Sequence, residues 1–355
     1  MTENLRKLID LFDSRLQISG TTTLDFNLYA NLLSFDVIGD FAFGEPFGFL
    51  KHGEDHLNLI SVVDARGEVL NALGHVPWPF RSLMKCFPLD NFWSQGLRGA
   101  QALAAIGTKA YFTRRDQVKT RKDLLSLLFK AKDPETGAAL DEKEIIAESI
   151  SFIVGGSDTT STSMVNMVDI LSRSEDVQQR LQEELDSAFP FPNQTMPPGW
   201  VADFKAVESL PVLNAILRET MRFRPTSATG LERVTPKGGK VVAGRFLPEG
   251  TLVSVPTLDI HHNPVAFKDP EKFNYERWLG EDAPKLLEAF FPFSAGPRAC
   301  IGRNFAWMEI LKTLATVFRL YHLERVPAGE TVLREGFFVK TKECQVVMRK
   351  RVAGA

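Results

Sequence analysis

Residues 291–302 of this 355-residue chain read FPFSAGPRACIG, so that a lone cysteine, Cys300, lies among glycines and prolines. Glycine supplies unusual backbone angles and proline fixes one of them, which predicts a tightly shaped loop. Apolar residues then recur with helical spacing from Phe305 to Leu314, so Cys300 is expected near the N-terminus of a helix. Free amide groups and the helix dipole favour a thiolate there, and Arg298 precedes it by two residues. The pattern therefore predicts a sheltered thiolate that is a good soft ligand for iron.

Cys300 taken alone leaves a second interpretation open, since a single cysteine is commonly a small buried apolar side chain. Its neighbours narrow the choice. Phe293, Gly296, Arg298, Cys300 and Gly302 together resemble the haem-ligand loop of the cytochrome P450 family. The resemblance implies that haem b is bound through the Cys300 thiolate, with Phe293, Arg298 and Gly302 contributing to the cofactor site.

Composition and charge are typical of a globular protein with a sizeable core, because 44% of the residues are hydrophobic and 24% are charged. The net charge of −2 gives no reason to expect nucleic acid or an anionic membrane as a partner. Cys86, Cys300 and Cys344 are far apart, which argues against a disulfide scaffold and for a reducing compartment. No run of about 18 apolar residues encodes a membrane anchor, and the first residues lack a signal-peptide core.

Hydrophobic periodicity predicts a mainly α protein with small β-sheets. At 355 residues the chain could form one large domain or two ordinary ones, and the family resemblance implies a single haem-thiolate monooxygenase domain over residues 1–355. Helices dominate up to about residue 234, and short β-like runs separated by glycine and proline follow from about residue 235. The tail from Glu343 to Val352 alternates like an edge strand. The longest helices are expected at residues 5–16, 24–43, 97–114, 141–172 and 174–189, and from Pro211 onward.

Small and hydroxyl-bearing residues, GGSDTTS at 155–161, interrupt the middle of the longest predicted helix. Two glycines cost about 1 kcal/mol each against alanine, and the hydroxyls after them compete for backbone groups. The residues alone allow a local bulge that brings backbone close to a bound group, or a packing notch beside a solvated Asp158. The segment also resembles the oxygen-binding segment of the same family. That resemblance implies that Thr159 hydrogen-bonds dioxygen and that Asp158 relays protons.

Glu219 and Arg222 lie three residues apart on the helix that begins at Pro211, and therefore share a face. Because that helix is otherwise apolar, the pair is expected to be buried and to need further partners. The family resemblance implies that Arg277, within residues 267–278, completes a structural triad that holds the thiolate loop.

Arg233 and Arg298 each look like surface arginines when they are taken singly. The family resemblance implies that both contact the haem propionates, a role that suits the fork of the guanidinium group.

The resemblance implies a haem-dependent monooxygenase that inserts one oxygen atom of O2 into a small apolar organic substrate. Electrons would come from an NADPH-dependent reductase, because the chain contains no nucleotide-binding fingerprint. Two alternatives stay open at this point: a truncated product with impaired or absent haem binding and no catalysis, and a haem-dependent isomerase or dehydratase. The intact pair Asp158 and Thr159 disfavours the isomerase or dehydratase.

Members of the family carry a long upstream part, with a membrane anchor where present and a helix whose Trp and Arg meet the propionates. Trp78 and Arg81 lie in a proline-broken segment and do not match that helix. The chain is therefore expected to be an N-terminally truncated form of the cytochrome P450 fold. Full-length relatives are expected on the cytoplasmic side of the endoplasmic reticulum membrane.

Overall fold

The computed structural model describes residues 1–17, 20–85, 90–117, 121–326 and 330–352, with the backbone alone at positions 78, 84 and 85. Cys86 lies outside the described residues. The chain forms two compact units, residues 1–214 with 301–355 (unit 1) and residues 215–300 (unit 2).

Helices make up most of the described chain, which confirms a mainly α protein with small β-sheets. The α-helices are α1 (Thr2–Leu16), α2 (Phe26–Phe43), α3 (Phe49–His52), α4 (Leu59–His75), α5 (Trp78–Lys85), α6 (Asn91–Asp116), α7 (Leu124–Leu128), α8 (Glu142–Leu171), α9 (Glu175–Ala188), α10 (Phe204–Val207), α11 (Pro211–Phe223), α12 (Thr257–His261), α13 (Ala283–Leu286) and α14 (Arg303–Leu320). Among the described helices, none combines the length and the apolarity needed to cross a lipid bilayer.

Capping residues fix the ends of the two central helices. The side chain of Asp141 accepts a hydrogen bond from the Glu144 amide and the Glu144 side chain accepts one from the Asp141 amide, which forms a capping box at the start of α8. α2 ends at Gly44, whose φ of 77° is readily adopted by glycine alone. Ser174 is the residue directly before α9, and its side chain makes no capping hydrogen bond.

The core of unit 1 is a layer of packed helices. α2 lies along α8, α4 lies along α6, and α6 also contacts α8. Helix α2 is buried on nearly all sides, and the last twelve residues of α8 are buried all round. Such helices lie inside a protein rather than on its surface. α8 is therefore the central element of unit 1.

The strands form small antiparallel sheets. They are β1 (Thr21–Asp25), β2 (Arg233–Val234), β3 (Lys240–Val242), β4 (Arg245–Leu247), β5 (Leu252–Val253), β6 (Tyr321–Arg325), β7 (Leu333–Glu335), β8 (Val339–Thr341) and β9 (Gln345–Lys350). In unit 1, β9 lies between β1 and β6, and β7 pairs with β8 as a hairpin.

The tail strand β9 was expected at a sheet edge, and that prediction is wrong. Both edges of β9 are paired, Val347 with Thr23 on one side and with Glu324 on the other. Alternation of apolar and polar residues reports that one face is buried, and it is the same for a central and an edge strand.

Unit 2 contains most of α11, the pairs β2–β5 and β3–β4, and the short helices α12 and α13. Its buried cluster is formed by Ala215, Phe267 and Trp278, with Tyr275 and Phe290 packed against it. The core thus joins α11 to the segment around Trp278 and to the residues just before the Cys300 loop.

Glu309 on α14 is a fully buried carboxyl in unit 1. Burial raises its pKa to about 8, and an interaction with Ser34 opposes only part of that rise. The carboxyl is therefore protonated in the folded chain at neutral pH, whereas in the unfolded chain its pKa returns to the ordinary value of 4.5. Between these values the folded chain binds more protons, so the free energy of unfolding falls as the pH rises.

Glu309→Gln should abolish this slope. We expect the variant to match the wild type near pH 4.5 and to exceed it by about 3 kcal/mol near pH 7, measured by urea unfolding across the pH range. Glu148→Gln, an exposed carboxyl on α8, should keep the wild-type slope. If the slope persists in Glu309→Gln, another group causes it.

Candidate functional site

Cys300 ends a loop that its own backbone holds in shape. The Cys300 amide donates a hydrogen bond to the Phe293 carbonyl at 2.9 Å, and the Ala299 amide donates one to the Gly296 carbonyl at 3.0 Å. Gly296 has a φ of 76°, a left-handed value that favours glycine, and it begins a single 3-10 turn. Helix α14 begins three residues after Cys300, close to the expected position.

The surroundings of Cys300 differ from the expectation of a sheltered thiol. Cys300 is exposed, and no hydrogen bond from the described part of the chain reaches its sulfur. Ile301, the next residue, is fully exposed. The alternative of a small buried apolar cysteine does not apply to Cys300; it applies to Cys344, which is completely buried.

The two arginines expected near the propionates are both exposed. Arg233 lies on β2, and its guanidinium donates to the carbonyls of Leu231 and Glu232 at 3.2 Å and 2.9 Å. Arg298 lies on the 3-10 turn before Cys300 and makes no hydrogen bond or ion pair to the described residues. Gly302 is the residue that precedes the first turn of α14, and its φ of −83° needs no glycine.

Glu219, Arg222 and Arg277 are in contact in unit 2. Arg222 makes a two-pronged ion pair with Glu219, both N–O distances being 2.9 Å, and both side chains are completely buried. The Nε atom of Arg277 donates to Glu219 at 3.2 Å, and its side chain is almost completely buried. The guanidinium of Arg222 also donates to the carbonyls of His261 and Lys272 at 2.8 Å and 3.2 Å.

Two further groups bind the Glu219 carboxylate, and the sequence did not single them out. The Trp278 indole Nε1 donates to Oε2 at 2.9 Å, and the Asn274 amide donates to Oε1 at 2.9 Å. Trp278 directly follows Arg277, so its proximity to the expected triad was the one available signal. Because several of its hydrogen-bond donors lie in the segment 272–278, the Glu219 carboxylate anchors that segment.

His261 connects this network with the start of the cysteine loop. Its ring Nε2 accepts a hydrogen bond from the Phe291 amide at 3.1 Å, and its side chain is completely buried. Burial, with the nearby Arg222 charge, lowers the pKa of His261 to about 4. The ring is therefore neutral at pH 7 and Nε2 stays available as an acceptor.

Helix α8 is regular through its glycine pair. All residues Glu142–Leu171 are helical, so the local bulge that the sequence allowed is absent. A Cβ built on Gly156 would approach Ile38 of α2 to 2.5 Å, whereas one on Gly155 would meet nothing within 4 Å. Gly156 is therefore a packing notch between α2 and α8, and Gly155 leaves an open stretch of helix surface.

The hydroxyls of α8 bond back to the helix instead of disrupting it. Thr159 Oγ1 donates to the Gly155 carbonyl at 3.1 Å, and Ser163 Oγ donates to the Thr159 carbonyl at 3.0 Å. Such bonds to the carbonyl four residues earlier satisfy the side chain within the helix. Thr159 is half-buried, beside the open surface at Gly155.

Asp158 is buried, not solvated as the packing-notch interpretation had it. Its carboxylate pairs with Lys340 on β8, which also contacts Asp64 of α4 at 2.5 Å. Arg334 on β7 binds Asp64 at 2.6 Å and Glu68 at 2.5 Å. Burial raises the pKa of Asp158 and the Lys340 charge opposes that rise. The β7–β8 hairpin is thereby tied to α4 and to α8.

A pocket of about 280 Å³ opens beside this network in unit 1. Its apolar wall is formed by five side chains from α4, α8 and the hairpin: Val63, Leu70, Val154, Phe337 and Phe338. Asp158, Lys340, Arg334, Asp64, Glu68 and Arg66 supply its charged wall. The arrangement can hold a small apolar molecule next to a buried acid.

The chain is similar in sequence to known proteins. A profile of the family described as Cytochrome P450 matches residues 1–348. Benzoate 4-monooxygenase bphA from Aspergillus niger is 36% identical over 362 residues, which cover 95% of this chain and 68% of the relative. Cytochrome P450 monooxygenase penB from Penicillium thymicola is 32% identical over 324 residues, covering 88% and 71%.

A solved structure shows the same fold. The crystal structure of a cytochrome P450, CYP102L1, superposes with a TM-score of 0.80 at 25% identity and covers 99% of this chain and 77% of that chain. These matches confirm the fungal-like family, the fold and the haem-dependent monooxygenase class that the sequence motifs implied. The chain therefore belongs to the cytochrome P450 family.

Proposed function

We propose that the Cys300 thiolate is the protein ligand of a haem b iron, and that the chain oxidises a small apolar substrate with O2. The observation that carries this proposal is an exposed thiol on a shaped loop that ends directly before a helix. Electrons would come from an NADPH-dependent reductase. By the family resemblance, full-length relatives are expected on the cytoplasmic side of the endoplasmic reticulum membrane.

The residues at the cysteine loop fit a haem in two respects. Cys300 offers one soft donor atom that other side chains leave accessible. The fully exposed Ile301, the next residue along the chain, is an apolar side chain that gains by covering an apolar group.

Haem, when bound, supplies the oxidising chemistry, and the protein contributes ligation, orientation and proton delivery. Cys300 would hold the iron, while the exposed guanidinium groups of Arg298 and Arg233 would bind the propionates. Arg298 is free for this role, whereas Arg233 would first release its two backbone carbonyls.

Thr159 and Asp158 would take part in proton transfer beside the substrate. The Thr159 hydroxyl donates a hydrogen bond to the Gly155 carbonyl, and rotation about its Cβ–Oγ1 bond can redirect that hydrogen bond to a neighbouring acceptor. Burial raises the pKa of Asp158 and the Lys340 charge opposes that rise, and its carboxylate would relay a proton by first accepting it. Lys340 keeps that carboxyl in place.

Reduction of the haem-loaded chain under carbon monoxide tests the proposal. A red-shifted Soret band reports thiolate-ligated haem, and we expect the purified chain to show it after haem reconstitution. Absence of the band would sink the proposal for this chain and favour the alternative of impaired haem binding.

Thr159→Ala should leave that Soret band and the fold unchanged but separate oxygen consumption from product formation. The physical reason is that the hydroxyl proton is lost while the helix keeps its backbone bonds, and alanine is a good helix former. The measurement is product formed per NADPH consumed, with a drop on the order of 10-fold expected for a lost proton donor.

Ser163→Ala is the matched control. It removes the same kind of hydroxyl-to-carbonyl bond one turn further along α8 and should keep the wild-type ratio. A wild-type ratio in Thr159→Ala would count against proton delivery by this hydroxyl.

A further inference from the structure

Two of the three cationic side chains that line the pocket between α4, α8 and the β7–β8 hairpin are paired with carboxylates. Arg334 and Lys340 are both paired with carboxylates. Both oxygens of Asp64 are occupied, one by each cation, and Glu68 is bound by Arg334. These two cations are therefore unavailable to a ligand.

Arg66 is the exception. It lines the same pocket from α4 and is half-buried, yet no described residue forms a hydrogen bond or ion pair with it. Burial lowers the pKa of its guanidinium with no acid to offset the effect. A guanidinium partly removed from water without an acid is unfavourable, and an anionic ligand would relieve that cost.

The apolar wall limits the shape of such a ligand. Phe337 and Phe338 at the turn of the hairpin, with Val63, Leu70 and Val154, provide aliphatic and aromatic surface for an uncharged body. A volume of about 280 Å³ is enough for a one- or two-ring molecule and too small for a long chain folded on itself.

We propose that this pocket selects an apolar carboxylic acid, whose carboxylate is bound by Arg66 and whose ring lies against Phe337 and Phe338. This substrate class rests on the proposed monooxygenase function. Arg66 then acts as a specificity residue: its fork matches a carboxylate in two parallel hydrogen bonds, and the remainder of the ligand lies toward Asp158.

Isothermal titration calorimetry of the haem-loaded chain tests the proposal with two probes of equal shape, 2-naphthoate and its uncharged amide 2-naphthamide. We expect the wild type to bind the acid about 10- to 100-fold more tightly than the amide. This is the affinity ratio that one charge-assisted hydrogen-bonded pair contributes. Arg66→Gln should bind both probes equally, because the substitution weakens the binding of 2-naphthoate and leaves the binding of 2-naphthamide unchanged. Arg66→Lys should restore part of the preference.

Arg98→Gln is the control for general electrostatics, since Arg98 is an exposed arginine on α6. It should keep the wild-type preference. Equal binding of the two probes by the wild type, a preference that survives Arg66→Gln, or an equal loss in Arg98→Gln would each overturn the proposal. Binding needs no turnover, and the carbon monoxide spectrum is recorded on the same haem-loaded sample, so a sample with the Soret band but no acid preference overturns this proposal alone.

Discussion

Cys300→Ser should abolish the red-shifted Soret band of the reduced, carbon monoxide-treated protein and, with it, all monooxygenase turnover. A serine hydroxyl is a hard, weakly acidic donor that does not replace a soft thiolate on iron. The loop itself should persist, because the hydrogen bond to Phe293 comes from the backbone amide of residue 300. The loss is therefore electronic rather than conformational.

Cys344→Ala is the control for Cys300→Ser, because it removes a cysteine that is not expected to bind the iron. Cys344 is the other cysteine within the described ranges, and its completely buried thiol has a pKa raised by burial. This variant should keep the band, although it removes a buried sulfur atom. A thiolate band that persists in Cys300→Ser would mean that another residue binds the iron.

The cysteine loop could be predicted from the sequence because its determinants are local. Gly296 provides the left-handed φ, and the helix begins three residues after Cys300. Glu219 and Arg222 are predictable for the same reason, since a spacing of three places both on one helical face. In each case the partners are within a few residues of each other.

Contacts between distant segments could not be predicted in the same way. Lys340 and Asp158 are 182 positions apart, so no spacing rule joins them. The same limit applies to Gly155 and Gly156, which are equivalent as residues and differ only because Ile38 of α2 faces one of them. Sequence patterns report the burial of a face, whereas topology determines which element covers it.

The proposed role of Arg66 in its pocket could not be predicted from the sequence for the same reason. An arginine in the middle of α4 looks like an ordinary surface residue in sequence, and its significance depends on its having no hydrogen bond or ion pair with any described residue. The neighbouring Arg334 has the same side chain and is neutralised by Asp64 and Glu68. Charge pairing in three dimensions distinguishes the two.

Glu219→Ala should destabilise the protein by about 3–5 kcal/mol, the usual cost of leaving a buried charge without its partner. Glu219 accepts two hydrogen bonds from Arg222 and one each from Arg277, Trp278 and the Asn274 backbone amide, so alanine leaves five donors without their acceptor. Arg222 is completely buried and cannot turn to water for compensation. Urea unfolding of the purified variant measures the loss.

Glu271→Ala is the matched control in the same unit. Glu271 pairs with His262 at 3.0 Å but its side chain is 78% exposed, so its removal should cost at most about 1 kcal/mol. If the two variants lose the same stability, the buried network is no more important than a surface ion pair.

The loss of stability in Glu219→Gln should fall between those of Glu219→Ala and Glu271→Ala, because the amide keeps the shape and some hydrogen bonds while the charge on both arginines stays unpaired. A thiolate Soret band that weakens in Glu219→Gln under conditions where the variant is still folded would support a positioning role of this network for the Cys300 loop.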